Sequence, residues 1–186
     1  ARLLAEKNGD TISTAANTKF ADIPAHAWYS GYVKYLSNNG ITYGKSKTVF
    51  APNDAITRAE FTTMAVRFFD VYGDGDAEIM EQFSGFNDVS SGYWAAEYIK
   101  YAALHGWING YGDGSFHADR EINRAEVVTI VNRLLGREAD EDYIADNLRK
   151  LNTFPDVNRK HWAYYAVMEA ANAHTAVLGE SESWSK

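Results

Sequence analysis

The stretch from Phe86 to Gly114 reads "FNDVSSGYWAAEYIKYAALHGWINGYGDG", and two other stretches of the chain repeat its landmarks. "FADIPAHAWYSGYVKYLSNNGITYG" begins at Phe20, and "FPDVNRKHWAYYAVMEAANAH" begins at Phe154. In every copy an aspartate lies two residues after the phenylalanine, and a tryptophan lies six residues after that aspartate. Between the first two copies the register continues without a gap, pairing Arg58 with Arg124. A fixed internal period of this kind identifies a repeat protein.

Each full copy is predicted to fold as a helix, a loop and a second helix. The first helix begins near the tryptophan and ends at Gly40 or Gly106, because glycine suits the left-handed conformation that ends helices. The loop "GYGDGSF" is rich in turn residues. The second helix carries one apolar stripe at i, i+3, i+4 and i+7, formed by Phe61, Met64, Ala65 and Phe68 and, in the next copy, by Val127, Ile130, Val131 and Leu134. The fold class predicted from these patterns is all-α.

The two ends of the chain are predicted to be half repeats. The third copy stops after its first helix, and "ARLLAEKNGD" at the amino end resembles the tail of a second helix in a piece of something longer. The predicted units are 1–19 (tail helix and linker), 20–85 and 86–153 (full repeats), and 154–186 (partial repeat). A half repeat exposes an apolar face, so we expect the helix at 2–7 to pack beside the helix from Trp162 to about Ala173. That contact would close a pseudo-threefold, three-pronged assembly, and an open stack is the alternative.

Composition excludes several classes of function. The 186 residues are 46% hydrophobic and 14% aromatic, with a net charge of -7. Such an acidic chain is a poor candidate for binding nucleic acid, which requires a basic face. No run approaches the roughly 20 apolar residues of a membrane span. The chain has no cysteine, which excludes disulfides and thiolate chemistry.

The stretches "AITRAEF" (55–61) and "EINRAEV" (121–127) place an arginine in the first turn of each second helix. Capping explains their neighbours, because Thr57 with Glu60, and Asn123 with Glu126, fit the capping-box pattern. It does not explain Arg58 and Arg124, which have the wrong sign for a helix N-terminus. Each arginine could pair with a local acid, such as the aspartate of a neighbouring Phe-x-Asp. Alternatively, guanidinium, free N–H groups and helix dipole could converge on an external carboxylate.

Together, Phe-x-Asp-Val/Ile, the tryptophan, the glycines, the loop and Ile-Thr-Arg-Ala-Glu resemble the S-layer homology (SLH) repeat. The resemblance implies a non-catalytic module of bacterial surface proteins, typically a three-pronged set of three repeats. It also implies binding of secondary cell-wall polysaccharide, often through a pyruvylated sugar, with the motif arginine contributing to a groove between repeats. The chain departs from the pattern where Asn123 replaces threonine, where His174 replaces the third glycine, and where "YGKSKTVF" lacks Asp-Gly. The third copy also lacks Thr-Arg-Ala-Glu, which argues against three equal sites.

Several residues are therefore candidates for ligand binding, each with a structural alternative. Trp28, Trp94 and Trp162 could stack on a sugar ring or pack between repeats, and packing is the commoner role of an aromatic in phase with a buried stripe. Asp22 and Asp88, with Asp156, could cap helices or pair with the arginines. The backbone near Gly44 and Gly110 could contact sugar. The full candidate set is Arg58, Arg124, Trp28, Trp94, Trp162, Asp22, Asp88, Gly44, Gly110, Glu60 and Glu126.

We expect no catalytic residue, no cofactor and no metal. Glycoside hydrolysis needs two carboxylates across one cleft, which a packing motif repeated three times does not suggest. "DVYGDGDAEIME" (70–81) partly matches a calcium loop, but Tyr72 stands at a ligand position, and we interpret it as a linker. The five histidines show no metal-binding spacing.

The function expected is non-covalent attachment of a larger surface protein to the bacterial wall, outside the cell. The expected partner is an acidic wall polysaccharide, for example a pyruvylated one, held in grooves between repeats. We expect neither a nucleic-acid partner nor a membrane span. One alternative is a structural repeat with degenerate glycan sites that self-associates in a surface layer. A second is a segment of an enzyme whose catalytic domain lies outside the chain.

Overall fold

The computed structural model describes residues 1–72, 85–177 and 183–185. Within these ranges the α-helices are α1 (Arg2–Asn8), α2 (Ser30–Asn38), α3 (Arg58–Tyr72), α4 (Ala96–Leu104), α5 (Arg124–Leu134), α6 (Glu141–Asn147) and α7 (Tyr164–Ala171). A 3-10 turn, Leu148–Lys150, follows α6. Two three-residue strands, β1 (Thr175–Val177) and β2 (Ser183–Ser185), pair antiparallel. The all-α prediction is confirmed, with this short ladder as an unpredicted addition.

The repeat motif sets where the helices begin. Helices α2, α4 and α7 each start two residues after the tryptophan of their copy. Helices α3 and α5 start at Arg58 and Arg124, as the capping pattern predicts. Gly40 and Gly106 follow the ends of α2 and α4 with φ of 73° and 70°. The helix–loop–helix prediction is therefore confirmed, while the boundaries between units stay a prediction.

The second helix of one repeat packs against the first helix of the next. Helix α3 packs on α4, and α5 packs on α7, where the buried Asn132 side chain donates to the Ala166 carbonyl at 2.9 Å. Helix α1 is joined to α2 in the same sense, since Arg2 donates to the Tyr32 hydroxyl at 3.0 Å. Extensive contact between α1 and α7 is not found among the described residues. The three-pronged closure stays a prediction.

The main core lies where α3, α4, α5 and the loop of the second repeat meet. Ile99, Trp107, Phe116 and Ile130 are buried there. A smaller core surrounds Phe20, Ile23 and Val33, and another contains Ile144, Tyr164, Met168 and Trp184. Each complete repeat thus buries its own apolar faces together with those of its neighbour.

Helix α6 was not predicted from the sequence, although its N-cap carries a visible signal. The Asp140 side chain accepts the Tyr143 N–H at 2.7 Å, and two further acids follow in the first turn. The second oxygen of Asp140 accepts the Trp184 N–H at 3.0 Å. This one aspartate therefore caps α6 and hydrogen-bonds to the backbone of β2.

Two further expectations concern the calcium-like stretch and the absence of a membrane span. The calcium-like stretch 70–81 lies almost wholly outside the described residues, so its interpretation as a linker is not tested. Among the helices that the structure does describe, none has the length and apolar character that a membrane crossing requires.

Candidate functional site

The N-terminus of α3 is attached to the second repeat by backbone hydrogen bonds. The N–H of Arg58 donates to the Arg120 carbonyl, and the N–H of Ala59 donates to the Ala118 carbonyl, both at 2.9 Å. A bridge between Thr57 and Glu121 continues this pairing. The first N–H groups of the helix are thus satisfied inside the protein, so they are not available to an external anion.

The Arg58 side chain is buried in the same junction. Its Nη1 donates to Glu126 Oε1 at 2.8 Å, its Nε donates to the Phe116 carbonyl at 2.9 Å, and its Nη2 donates to the Asn109 carbonyl at 3.3 Å. The guanidinium also lies 4.4 Å from the centre of the Phe116 ring. Of the two alternatives for this arginine, the internal ion pair is the one that the structure contains. The acid is Glu126 of the next repeat, rather than the Phe-x-Asp aspartate that the sequence also allowed.

Glu126 collects donors from both repeats. One oxygen accepts from Arg58, from the Tyr111 hydroxyl at 3.0 Å and from Arg120, while the other accepts the Asn123 N–H at 3.0 Å. Desolvation raises the pKa of Glu126, but the Asn123 N–H and the Arg58 charge outweigh it, so the pKa lies below its ordinary value. The reciprocal bond from the Glu126 N–H to Asn123 completes the predicted capping box.

Two open grooves flank these helix starts. The Trp162 groove, about 650 Å³, is lined by parts of three repeats, including Arg58, Gly110, Tyr111, Arg120, Glu126, Arg133 and Trp162. The Trp94 groove, about 510 Å³, is lined at equivalent positions by Gly44, Lys45, Asp54, Glu60, Arg67 and Trp94. Seven of the eleven candidate residues therefore line one groove or the other, and their contact with a ligand stays a prediction.

Both glycines allow the loop to approach the Phe-x-Asp phenylalanine closely. A Cβ on Gly110 would lie 2.5 Å from Phe86 Cε1, and a Cβ on Gly44 would lie 2.4 Å from Phe20 Cε1. Both distances are too short for any side chain, so each position requires glycine. The sequence suggested a sugar contact here, and the geometry adds a packing reason for the same residue.

Asp22 and Asp88 hold the loops rather than a helix start. Asp22 accepts the N–H groups of Phe50 at 2.9 Å and Ala51 at 2.6 Å, and these bonds lower its pKa. Asp88 accepts the N–H groups of Phe116 and His117, each at 2.7 Å. Desolvation raises the pKa of Asp88, yet these two bonds outweigh it. Neither aspartate is among the described residues that line the two grooves. The structure gives both a loop-holding role, and their contact with a ligand stays a prediction.

The loop conformation explains why an aspartate is needed. Ala51 has φ of 61° and His117 has φ of 55°, in the left-handed region that side chains other than glycine rarely adopt. This conformation turns two successive N–H groups toward one carboxylate. The two hydrogen bonds offset the strain of the turn.

The three tryptophans are exposed, so the expectation that they pack in a core or between repeats is wrong. Trp28 is 76% exposed, Trp94 56% and Trp162 65%. Trp94 and Trp162 each stand at the rim of a groove. Trp28 lines neither of these two grooves and lies edge-on to Tyr29 and Tyr32. An exposed indole at the rim of a groove is available to a partner.

Arg124 begins its helix as Arg58 does, but its surroundings are different. Its side chain is exposed, and it is not among the described residues lining either groove. In the third copy, His174 stands where a glycine was expected. Its ring stacks on Trp184 at 3.9 Å and its Nε2 lies 3.3 Å from the buried Glu169.

Sequence reasoning did not identify three residues that shape the Trp162 groove: Tyr111, Arg120 and Arg133. They lie outside the Arg-Ala-Glu motif, and two of them have no chemically similar residue at the equivalent position of the first repeat. Tyr111 corresponds to Lys45, and Arg120 corresponds to Asp54. The register of the repeat could have flagged these positions as places where the two copies differ.

Comparison with known proteins gives the family. The sequence profile of the S-layer homology domain matches residues 19–62 and 85–128. The chain belongs to the S-layer homology family. The matched segments cover the two full repeats from the Phe-x-Asp motif into the second helix, and the family is one of bacterial cell-surface proteins associated with the wall.

Named relatives agree with this placement. The chain is 32% identical over 181 residues to cell surface glycoprotein 1 of Acetivibrio thermocellus, covering 93% of this chain and 7% of that protein. It is 29% identical over 164 residues to the cellulosome-anchoring protein of the same organism, covering 87% of this chain and 34% of that protein. It is 29% identical over 131 residues to the surface-layer 125 kDa protein of Lysinibacillus sphaericus, covering 69% of this chain and 11% of that protein. The chain therefore spans at most about a third of the length of these relatives.

Proposed function

We propose that this chain attaches a larger surface protein to the bacterial wall by holding an acidic secondary cell-wall polysaccharide in the grooves between its repeats. A pyruvylated sugar is the carboxylate-bearing unit we expect. The observation that carries the proposal is the Trp162 groove, where an exposed indole stands beside a cleft rich in arginine. Family membership supports the coarser role of wall anchoring, and one relative is named as a cellulosome-anchoring protein.

The chemistry of the grooves suits an acidic sugar. A sugar ring has an apolar face that can lie on an indole, and the exposed Trp94 and Trp162 offer such a surface. Arginine can hold a carboxylate through two parallel N–H donors. Since the chain as a whole carries a charge of -7, attraction of an acidic polymer must come from local positive charge within about 8 Å, the range of electrostatics at physiological salt.

We propose binding without catalysis. Among the described residues, Glu126 is the one acid that lines the Trp162 groove, and its oxygens are occupied by Arg58, Arg120 and Tyr111. Hydrolysis of a glycosidic bond by the usual route needs a second carboxyl group several ångströms away across the same cleft. The groove is therefore better suited to holding a glycan than to cleaving it.

The test is co-sedimentation with purified wall sacculi, before and after the secondary polymer is stripped from them. We expect the protein to sediment with intact walls and to remain in solution with stripped walls. A Trp94→Ala, Trp162→Ala double variant should bind intact walls more weakly while keeping the helical circular-dichroism spectrum of the parent. Equal binding to intact and stripped walls would contradict the proposal. Sedimentation of the protein alone would then test the alternative, which is self-association.

A further inference from the structure

The two grooves occupy equivalent positions in the repeat but do not carry the same charge. The Trp162 groove is lined by Arg58, Arg120 and Arg133 against one acid, Glu126. The Trp94 groove is lined by Lys45 and Arg67 against Asp54 and Glu60. Counted over the described lining residues with neutral histidine, the first groove has two net positive charges and the second has none. An anionic group should therefore distinguish between them.

Only some of the arginines of the Trp162 groove are available to a ligand. Arg58 directs its donors to Glu126 and to two backbone carbonyls, and its side chain is 6% exposed. Arg120 also reaches Glu126, yet 41% of its side chain is exposed. Arg133 is exposed on the next turns of α5, with its Nη1 3.3 Å from the Asn109 side-chain amide. The accessible cations are Arg120 and Arg133.

The cations of the Trp94 groove also have partners, and Lys45 is as exposed as Arg120, so the grooves differ in the charges that line them rather than in whether their cations are paired. Lys45 is paired with Glu60. The Arg67 guanidinium lies over the rings of Tyr43 and Tyr98, at 4.7 and 5.0 Å from their centres. Asp54 occupies the position of Arg120, so it places a negative charge where the other groove has a positive one. This groove repels a carboxylate at the point where the other attracts it.

We infer that the two grooves divide the recognition of one glycan, an inference that rests on the proposed function. The Trp162 groove binds the carboxylate-bearing sugar through Arg120 and Arg133. Arg58 lies beneath them as a positioning residue that holds Glu126 and the loop. The Trp94 groove accepts an uncharged sugar of the same polymer.

The test compares walls whose carboxylates are intact with the same walls after chemical reduction of carboxylates to alcohols. The quantity measured is the ratio of the two affinities for each variant. For the parent we expect a ratio of about ten or more, because a hydrogen-bonded charge pair contributes on that scale. Arg120→Gln and Arg133→Gln should each bring the ratio toward one. Arg67→Gln, the matched change in the other groove, should leave the ratio at the parental value whatever it does to affinity.

The outcomes separate this inference from the proposed function. If the parent does not bind intact walls, the proposed function fails. If the parent binds with a high ratio and Arg133→Gln keeps that ratio, or Arg67→Gln lowers it equally, the division between grooves is overturned. Arg133 is exposed, so this variant is expected to fold even if Arg120→Gln does not.

A gain of charge gives an independent check. Asp54→Arg places an arginine in the Trp94 groove at the position that Arg120 occupies in the Trp162 groove. We expect it to raise affinity for intact walls severalfold and to raise the intact-to-reduced ratio above that of the parent. An unchanged ratio in a folded variant would contradict the assignment of carboxylate recognition to this position.

Discussion

The starts of α3 and α5 have the same Arg-Ala-Glu sequence but different surroundings. At α3, Arg58 is buried and its donors reach Glu126 and two carbonyls of the following repeat. At α5, the side chain of Arg124 is exposed. An arginine at a helix start costs about 0.3–1 kcal/mol through the helix dipole when it is exposed. At α3 that cost is offset by the ion pair and the hydrogen bonds of the junction.

The difference shows that the motif arginine joins one repeat to the next. It requires a following repeat that supplies a loop carbonyl and a capping glutamate. For Arg58 the second repeat supplies both partners, the Phe116 carbonyl and Glu126. The phenylalanine of the Phe-x-Asp motif also differs in burial between copies, since Phe20 is 2% exposed and Phe154 is 43% exposed.

The largest effect is expected from Arg58→Ala. This change leaves Glu126 without its buried cationic partner, and breaking a buried ion pair in this way destabilises by about 3–5 kcal/mol. Arg124→Ala is the matched control, and it should change the free energy of unfolding by less than about 0.5 kcal/mol because the residue is exposed. Urea denaturation of both variants measures the difference. Equal effects of the two changes would remove the distinction between the junctions.

Removal of the Glu126 charge should be the next largest effect, and it should depend on pH. At pH 7 Glu126→Gln weakens a charged hydrogen-bond network and is expected to cost about 1.5–3 kcal/mol. Because the folded pKa of Glu126 lies below its ordinary value near 4.5, its contribution is present above that value and is lost as the pH falls through the folded pKa. The stability gap between parent and variant should therefore narrow below pH 4.5.

Glu60→Gln is the control for this pH dependence. Glu60 is paired with Lys45, which is 41% exposed, so solvent screens the pair. Chemical denaturation at a series of pH values should show a smaller gap for Glu60→Gln at pH 7. A gap for Glu126→Gln that stays constant down to pH 2 would contradict the assigned pKa direction.

Gly110→Ala tests whether the loop must approach the phenylalanine closely. The added methyl would lie 2.5 Å from Phe86 Cε1 and 2.6 Å from the Ser115 carbonyl, and overpacking of this kind costs about 1–3 kcal/mol. Gly112→Ala is the control, because a Cβ there would have no atom within 4 Å. Thermal unfolding should show a clear loss for the first variant and little change for the second.

The smallest effect is expected from loss of the helix cap. Asn123→Ala removes the acceptor of the Glu126 N–H and should cost about 1 kcal/mol. Asn123→Asp preserves the acceptor and should be close to the parent. If the alanine variant were as unstable as Arg58→Ala, capping rather than the junction would be the main source of stability at this position.

Local features of the fold could be predicted from the sequence because the repeat shows them twice. The starts of α3 and α5 follow from the capping box, and the ends of α2 and α4 follow from Gly40 and Gly106. Helix α6 and the β1–β2 ladder lie outside the motif that the copies share, so the comparison of copies did not reinforce their weaker signals. Asp140 contacts both of these unpredicted elements, because it caps α6 and accepts the Trp184 N–H of β2.

The candidate site was only partly predictable, for a physical reason. The motif indicates which residues lie near the grooves, but burial and partners depend on which repeat comes next. Arg58 and Arg124 cannot be distinguished by their own sequence, because their difference is set by residues more than 50 positions away. Trp28, Trp94 and Trp162 were misjudged since their phase on the helix suggested burial, yet each precedes the first helical residue and projects to solvent.

The shared construction of the Trp162 groove has a consequence for valency. Arg58 comes from one repeat, the loop, Glu126 and the other two arginines come from the second, and Trp162 comes from the third. A linear run of repeats built this way therefore contains two fewer complete grooves than repeats. Adding one repeat adds one complete groove, and on a polymeric ligand each additional groove multiplies the total affinity through the high local concentration of the tethered chain. Attachment strength can thus change steeply with repeat number while no residue of any single groove changes.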